Sequence, residues 1–291
     1  KKSMIPSPDS LTPSLPAVYI HSLEPIWIEY GTFPRLPNTG EDIYCDGLNF
    51  QFGLGYALNQ KLQDAKVPSC WFVHYAEDVF RSLVNQQAQD DSIGDRMLPA
   101  RQSFQASLAI SAPLESGEKK FILVDPPRKL SAEQVILSVP DHSWLVLLDW
   151  KPGESLQAVL ASCRLKNVHV CLGLALHKEK PVDTMQLLAC LGEISHVDLV
   201  FFYSPPYLPT PAQHPDSGLI SKLCASVPVV LTASHDGLSV FQTEKAWKPI
   251  SAPGIVPSAW LTGWLAAYLN SRLHGSSAEA SIGYAQSFLH K

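Results

Sequence analysis

Three short groups of residues have types and spacings that chemistry uses. Gly53-Leu54-Gly55 opens a segment of helical periodicity. A Gly-x-Gly turn at a helix start can bare backbone N–H groups to an anion, although a tight strand-to-helix turn explains the pattern at least as well. His235-Asp236 has the makings of an acid–base pair, yet adjacent residues in a polar turn more often cap and solvate it. Asp141-His142 and Asp149 flank an apolar run and would need a serine to complete a triad. No Gly-x-Ser-x-Gly elbow is present, so polar strand edges are the plainer reading. None of these groups is assigned a catalytic role. Six cysteines, at positions 45, 70, 163, 171, 190 and 224, form no Cys-x-x-Cys pair and have no His at zinc-finger spacing. Most lie in apolar segments such as Val168-His169-Val170-Cys171-Leu172, so buried free thiols in a reducing compartment are expected.

The elements that must position these groups come from a chain of 291 residues, 46% hydrophobic, which is ample for a sizeable core. A formal charge of -5 offers no broad basic surface, which argues against nucleic acid and anionic lipid as partners. The most apolar stretch, Ala259 to Leu269, is bracketed by Pro257 and Arg272 and falls short of the roughly 20 residues that span a bilayer. Residues 1–16 carry charge without an apolar run, so a disordered or extended leader is expected there and not a secretion signal. A cytoplasmic or organelle-stroma setting follows as an expectation.

Short β-like runs recur at Val18-Ile20, Cys70-His74, Leu145-Leu148, Val168-Leu172, Val197-Phe202 and Val229-Thr232. Between most of them lie candidate crossover helices at 55–63, 79–85, 156–163, 184–191 and 219–225. That alternation predicts an α/β fold with a mostly parallel central sheet covered on both faces. One region departs from it. Residues 103–110 and 120–124 flank the polar tip Leu114-Glu115-Ser116-Gly117-Glu118 and read as a hairpin outside the main sheet. The proline-rich run 204–211 reads as a stiff surface connector in preference to a ligand for proline-reading domains. Trp260, Trp264 and Tyr268, four apart, form a helical stripe expected to be buried.

Four places, in order, carry a likeness. They are Leu36-Pro37-Asn38-Thr39-Gly40-Glu41, the glycine-rich start at Gly53 followed by Asn59, Ala76-Glu77-Asp78, and Thr232-Ala233-Ser234-His235-Asp236-Gly237 followed by the stretch from Ala252 to Asn270. Together they resemble the ribokinase or PfkB carbohydrate kinase family from about Val18 to the C-terminus. The resemblance implies one ribokinase-like domain over residues 17–291, a three-layer α/β/α body with a small β lid drawn from about 26–50 and 103–125. It also implies a mode of association, as a homodimer or hetero-oligomer through the lid.

In an active family member a Gly-Ala-Gly-Asp segment opens the last helix; its N–H groups stabilise phosphate charge and its Asp accepts the proton of the sugar hydroxyl. The matching residues are Val256, Pro257, Ser258 and Ala259. Ala259 cannot accept a proton, and Pro257 removes an N–H from the anion hole. A positioned base is typically worth about 10²–10⁴ in rate and one anion-hole donor about 10²–10³, although such factors do not simply multiply. The sugar-binding Asp of the family falls on or near Ile26, with Gly53, Leu54 and Asn59 as the rest of a sugar-site remnant. Its Asn-x-x-Glu falls on Tyr203-Ser204-Pro205-Pro206. Thr232, Ser234 and Gly237 remain of the nucleotide turn. The resemblance thus leaves two readings: a non-catalytic binding or scaffold protein that needs no cofactor and whose small-molecule ligand is unspecified, or a divergent kinase using ATP and Mg in which an acid such as Asp236 or Glu24 has taken over the missing task.

Overall fold

The computed structural model describes residues 17–32, 34–35, 47–76, 79–117, 119–124, 131–176, 182–192, 196–205, 215–234, 237–242, 245–246 and 257–289. The expected leader, the Leu36–Glu41 motif, Glu77-Asp78, His235-Asp236, the proline-rich residues 206–211 and Val256 lie outside the described residues.

The main sheet is built from β1 (Val18–Ser22), β4 (Ser69–Tyr75), β5 (Met97–Phe104), β8 (Trp144–Leu148), β9 (His169–Ala175), β10 (Val197–Tyr203), β11 (Val229–Ser234), β12 (Gly237–Gln242) and β13 (Lys245–Ala246). Its order is β13-β12-β11-β10-β9-β8-β1-β4-β5. The pairs from β11 through β5 are parallel, and β12 and β13 close one side antiparallel. Every residue of β1, β4 and β8 is buried, so these strands are mostly apolar, with His21, Ser22, Ser69 and His74 as buried polar exceptions: a parallel sheet covered on both faces leaves no solvent side.

One face packs against α1 (Gly53–Asp64), α2 (Val79–Asp90), α7 (Pro257–Leu273) and α8 (Ala278–Leu289). The other packs against α3 (Ala132–Ile136), α4 (Glu154–Leu165), α5 (Thr184–Gly192) and α6 (Ser217–Cys224). Residues 260–269 of α7 are all buried, and Trp264 stacks on Tyr268 with ring centroids 5.1 Å apart, as the aromatic stripe predicts. Cys70, Cys163, Cys171, Cys190 and Cys224 are buried free thiols, as expected.

A second sheet has the order β3-β2-β6-β7, from β2 (Ile26–Tyr30), β3 (Leu48–Gln51), β6 (Leu108–Pro113) and β7 (Lys119–Val124). The predicted hairpin is real but begins later than the sequence suggests. Ser103 and Phe104 belong to β5, which runs parallel to β4 at the edge of the main sheet, with Phe104 beside Tyr75. The chain crosses between sheets at 105–107, where Ala106 and Ser107 are buried, so no run of exposed turn residues marks the boundary. No helix among the described residues is long and apolar enough to cross a membrane.

Candidate functional site

Chain order locates the site before any side chain is considered. From β1 the main sheet grows one way through β4 and β5; from β8, its other neighbour, it grows the opposite way through β9, β10 and β11. In open α/β sheets ligands bind outside the carboxyl ends of the strands where the winding reverses. Here that point lies past Ser22 of β1 and Leu148 of β8, which are register partners. The chain leaves it through Leu23, Glu24 and Pro25 into the lid sheet, and through Asp149 on the β8 side.

Glu24 is 5% exposed and its carboxylate is heavily hydrogen-bonded. Oε2 accepts the Ser22 hydroxyl at 2.9 Å and the Gly55 N–H at 3.0 Å, while Oε1 accepts the Tyr203 hydroxyl at 2.9 Å. The Leu54 N–H donates to it as well. Burial pushes this carboxyl above the usual carboxylate range, and the donors from Gly55, Tyr203, Ser22 and Leu54 pull the other way. The positive end of α1 favours the same charge.

Gly53 makes room for this carboxylate, and Gly55 for the Ser22 that donates to it. Gly53 has φ +80°, and a Cβ there would lie 3.0 Å from Glu24 Oε2 and 3.2 Å from Glu24 Cβ. A Cβ at Gly55 would lie 2.8 Å from Ser22 Cβ. The N–H groups of the Gly-x-Gly turn do face a carboxyl group, and that group is the chain's own.

The other predicted positions divide between this end of the sheet and elsewhere. Ile26 is fully buried at the start of β2, and Leu54 is buried in the first turn of α1. Asn59 is also fully buried: its Oδ1 accepts the Ser69 hydroxyl at 2.8 Å and its Nδ2 donates to the Arg96 carbonyl at 3.3 Å. Ser69 begins β4, so Asn59 lies toward the opposite end of the strands from Glu24. Thr232 is buried in β11, and Ser234 and Gly237 are cross-strand partners where β11 turns back into β12. Pro257 and Ser258 open α7, followed by Ala259, which is exposed and whose carbonyl accepts the Thr262 hydroxyl at 3.1 Å. Trp260 turns inward, 5% exposed. No acidic residue stands anywhere in α7.

Asp141-His142 and Asp149 sit at opposite ends of β8, which rules out their acting as one group. Asp149 is half-buried at the winding reversal, in a left-handed backbone with φ 58°. Two further features escape sequence reading. Glu24 and Tyr203 are partners across 179 residues. In the core between the sheet and its second helical face, His21 Nδ1 and His74 Nε2 lie 2.9 Å apart, with His21 stacked on Phe72 at 4.3 Å. An acid directly after the first apolar run and a tyrosine ending another were the available signals for the first pair; nothing local marks the second.

The fold is that of ribokinase-like kinases, and solved structures of that class superpose over nearly the whole chain. Ribokinase from Giardia lamblia covers 94% of this chain, with 90% of its own length matched, at a TM-score of 0.66 and 13% identity. Arabidopsis thaliana ribokinase, solved with ribose and ATP, matches at a TM-score of 0.62 and 17% identity, covering 94% of this chain and 90% of its own. Phosphofructokinase-2 from Escherichia coli, solved with fructose-6-phosphate, matches at 0.63 and 13% identity, covering 93% and 91%. No family model matches the sequence, and no curated protein matches it.

No cluster of three or more His, Cys, Asp or Glu able to hold a metal ion stands among the described residues. The donors at the start of α1 are already directed at Glu24.

Proposed function

We propose that this ribokinase-fold protein acts by binding, as a scaffold or partner-binding protein, and does not transfer phosphate. The observation that carries the reading is the Glu24–Tyr203 hydrogen bond, 2.9 Å long and buried at the winding reversal where a kinase of this fold would seat its acceptor. Ala259 agrees with it, since an exposed methyl group at the expected base position moves no proton. Partners would approach through the lid, as a second copy or another protein. Leu48, Ile122, Leu123 and Val124 of its two edge strands are exposed.

Calorimetric titration and thermal shift with ATP, ADP and magnesium, alongside a panel of sugars and nucleosides, test the first part. No response at millimolar ligand is expected, and magnesium-dependent nucleotide binding refutes the reading. Light scattering tests association: a dimer or larger species is expected, and it should weaken when Ile122 and Val124 are changed to Ser.

One observation favours a second reading, a divergent kinase. Asp149 directly follows β8 at the same end of the sheet as Glu24 and is half-buried there. ADP release that is abolished by Asp149→Asn would establish it.

A further inference from the structure

The lid joins the main body through a small number of chain crossings. Three lie among the described residues: 23–25 from β1 to β2, 52 from β3 to α1, and 105–107 from β5 to β6. These crossings are bonded to one another. The Ile26 N–H donates to the Ser107 carbonyl at 2.8 Å, tying the first to the third. The Glu24 carboxylate, standing on the first, accepts the Gly55 N–H just past the second and packs on Gly53.

Tyr203 ties this root to a distant part of the sheet. It ends β10, which is separated from β1 by β9 and β8. Neighbouring strands lie about 4.8 Å apart, so the two strand axes are about 14 Å from each other. The bond therefore passes over the carboxyl ends of β8 and β9. On β9, Gly173 and Ala175 are the register partners of Phe201 and Tyr203. The Phe201 ring already occupies the space above Gly173, where a Cβ would meet its Cζ at 2.4 Å.

We propose that Glu24 and Tyr203 form a built-in latch, in which the carboxylate takes the place of a ligand and fixes the lid at one angle to the main sheet whether or not anything is bound. The latch rests on the non-catalytic reading above, because a cleft floor bridged by the protein's own side chains has no use for closure on a substrate. It also supplies a fixed lid surface for a partner to meet. Each component has a distinct job. Glu24 gathers the crossings, Tyr203 anchors them to β10, and the Ser22 hydroxyl, which donates to Oε2 while accepting the Glu24 N–H at 3.2 Å, sets the carboxylate's direction.

Amide hydrogen exchange on the full chain tests the latch, using Tyr203→Phe and Glu24→Gln. Tyr203→Phe removes one hydroxyl and keeps the ring, so it preserves the core even if Glu24→Gln fails to fold. The expected result is exchange at least tenfold faster in β2, β3 and β6, with β8 and β9 unchanged. Unchanged lid exchange in Tyr203→Phe overturns the latch, and so does equal acceleration of all strands, which would mark the bond as a general stabilising contact. Ligand titration of the wild-type chain decides the non-catalytic reading separately. Magnesium-dependent nucleotide binding there with an accelerated lid in Tyr203→Phe would keep the latch and discard the reading; the converse pair of results would do the reverse.

Discussion

Acidification should unfold this protein through one histidine in its core. His21 is 1% exposed, stacked on Phe72, with Nδ1 against His74 Nε2 and no hydrogen-bond partner on its Nε2. Burial, and then the neighbouring His74, push its pKa well below 6.5. The unfolded chain accepts a proton on this ring near pH 6.5 while the folded chain refuses it, so its share of stability is present above that pH and is lost as pH falls below it. While the folded ring stays neutral the slope approaches about 1.36 kcal/mol per pH unit, so with an unfolded pKa of about 6.5 the loss from pH 7 to pH 5 is at most about 2 kcal/mol. Urea denaturation of the wild type and of His21→Asn at half-unit steps from pH 5 to pH 8 measures it. The wild type should lose up to about 2 kcal/mol more than the variant over that range. Glu24 contributes in the opposite sense: its raised carboxyl binds a proton more readily folded than unfolded, so its share is lost as pH rises. Glu24→Gln in both backgrounds removes that opposing share. Parallel pH profiles for wild type and His21→Asn would refute the argument.

Gly173→Ala should cost about 1–3 kcal/mol or more by urea midpoint, because its Cβ would lie 2.4 Å from Phe201 Cζ and 2.7 Å from Leu148 Cδ2 in the middle of the sheet. Arg272→Met should lower stability by about 2–3 kcal/mol, measured the same way. It removes a 3.0 Å ion pair to Asp198, a hydrogen bond to the Ser276 carbonyl and the guanidinium lying over Trp144. Ala259→Asp should leave ADP release at background in a coupled assay, since Pro257 and the filled seat at α1 persist; measurable turnover would show that the base alone was missing.

The layers of this fold are written locally and the site is not. All six predicted strands and all five predicted helices are present, because full burial of β1, β4 and β8 makes them mostly apolar and each predicted helix carries an apolar face. The crossing at 105–107 was invisible because Ala106 and Ser107 are small, buried and flanked by strand on both sides. Gly53 and Gly55 were conspicuous, but their purpose depends on Glu24, about 30 residues earlier in the sequence, and on Tyr203, 179 residues from that acid. His21 and His74 meet because β1 pairs with β4, a fact of topology and not of composition.

Among the described residues the main sheet has nine strands, and its margins are blunt. One margin is β13, two residues long, and the other is β5, where Pro99 withdraws a donor from the ladder. Neither offers a template that a second molecule could copy strand upon strand. Among the described strands, the longer unbroken margin belongs to the small sheet, in the six residues of β7. Self-templated growth among the described strands thus has one short stretch to start from.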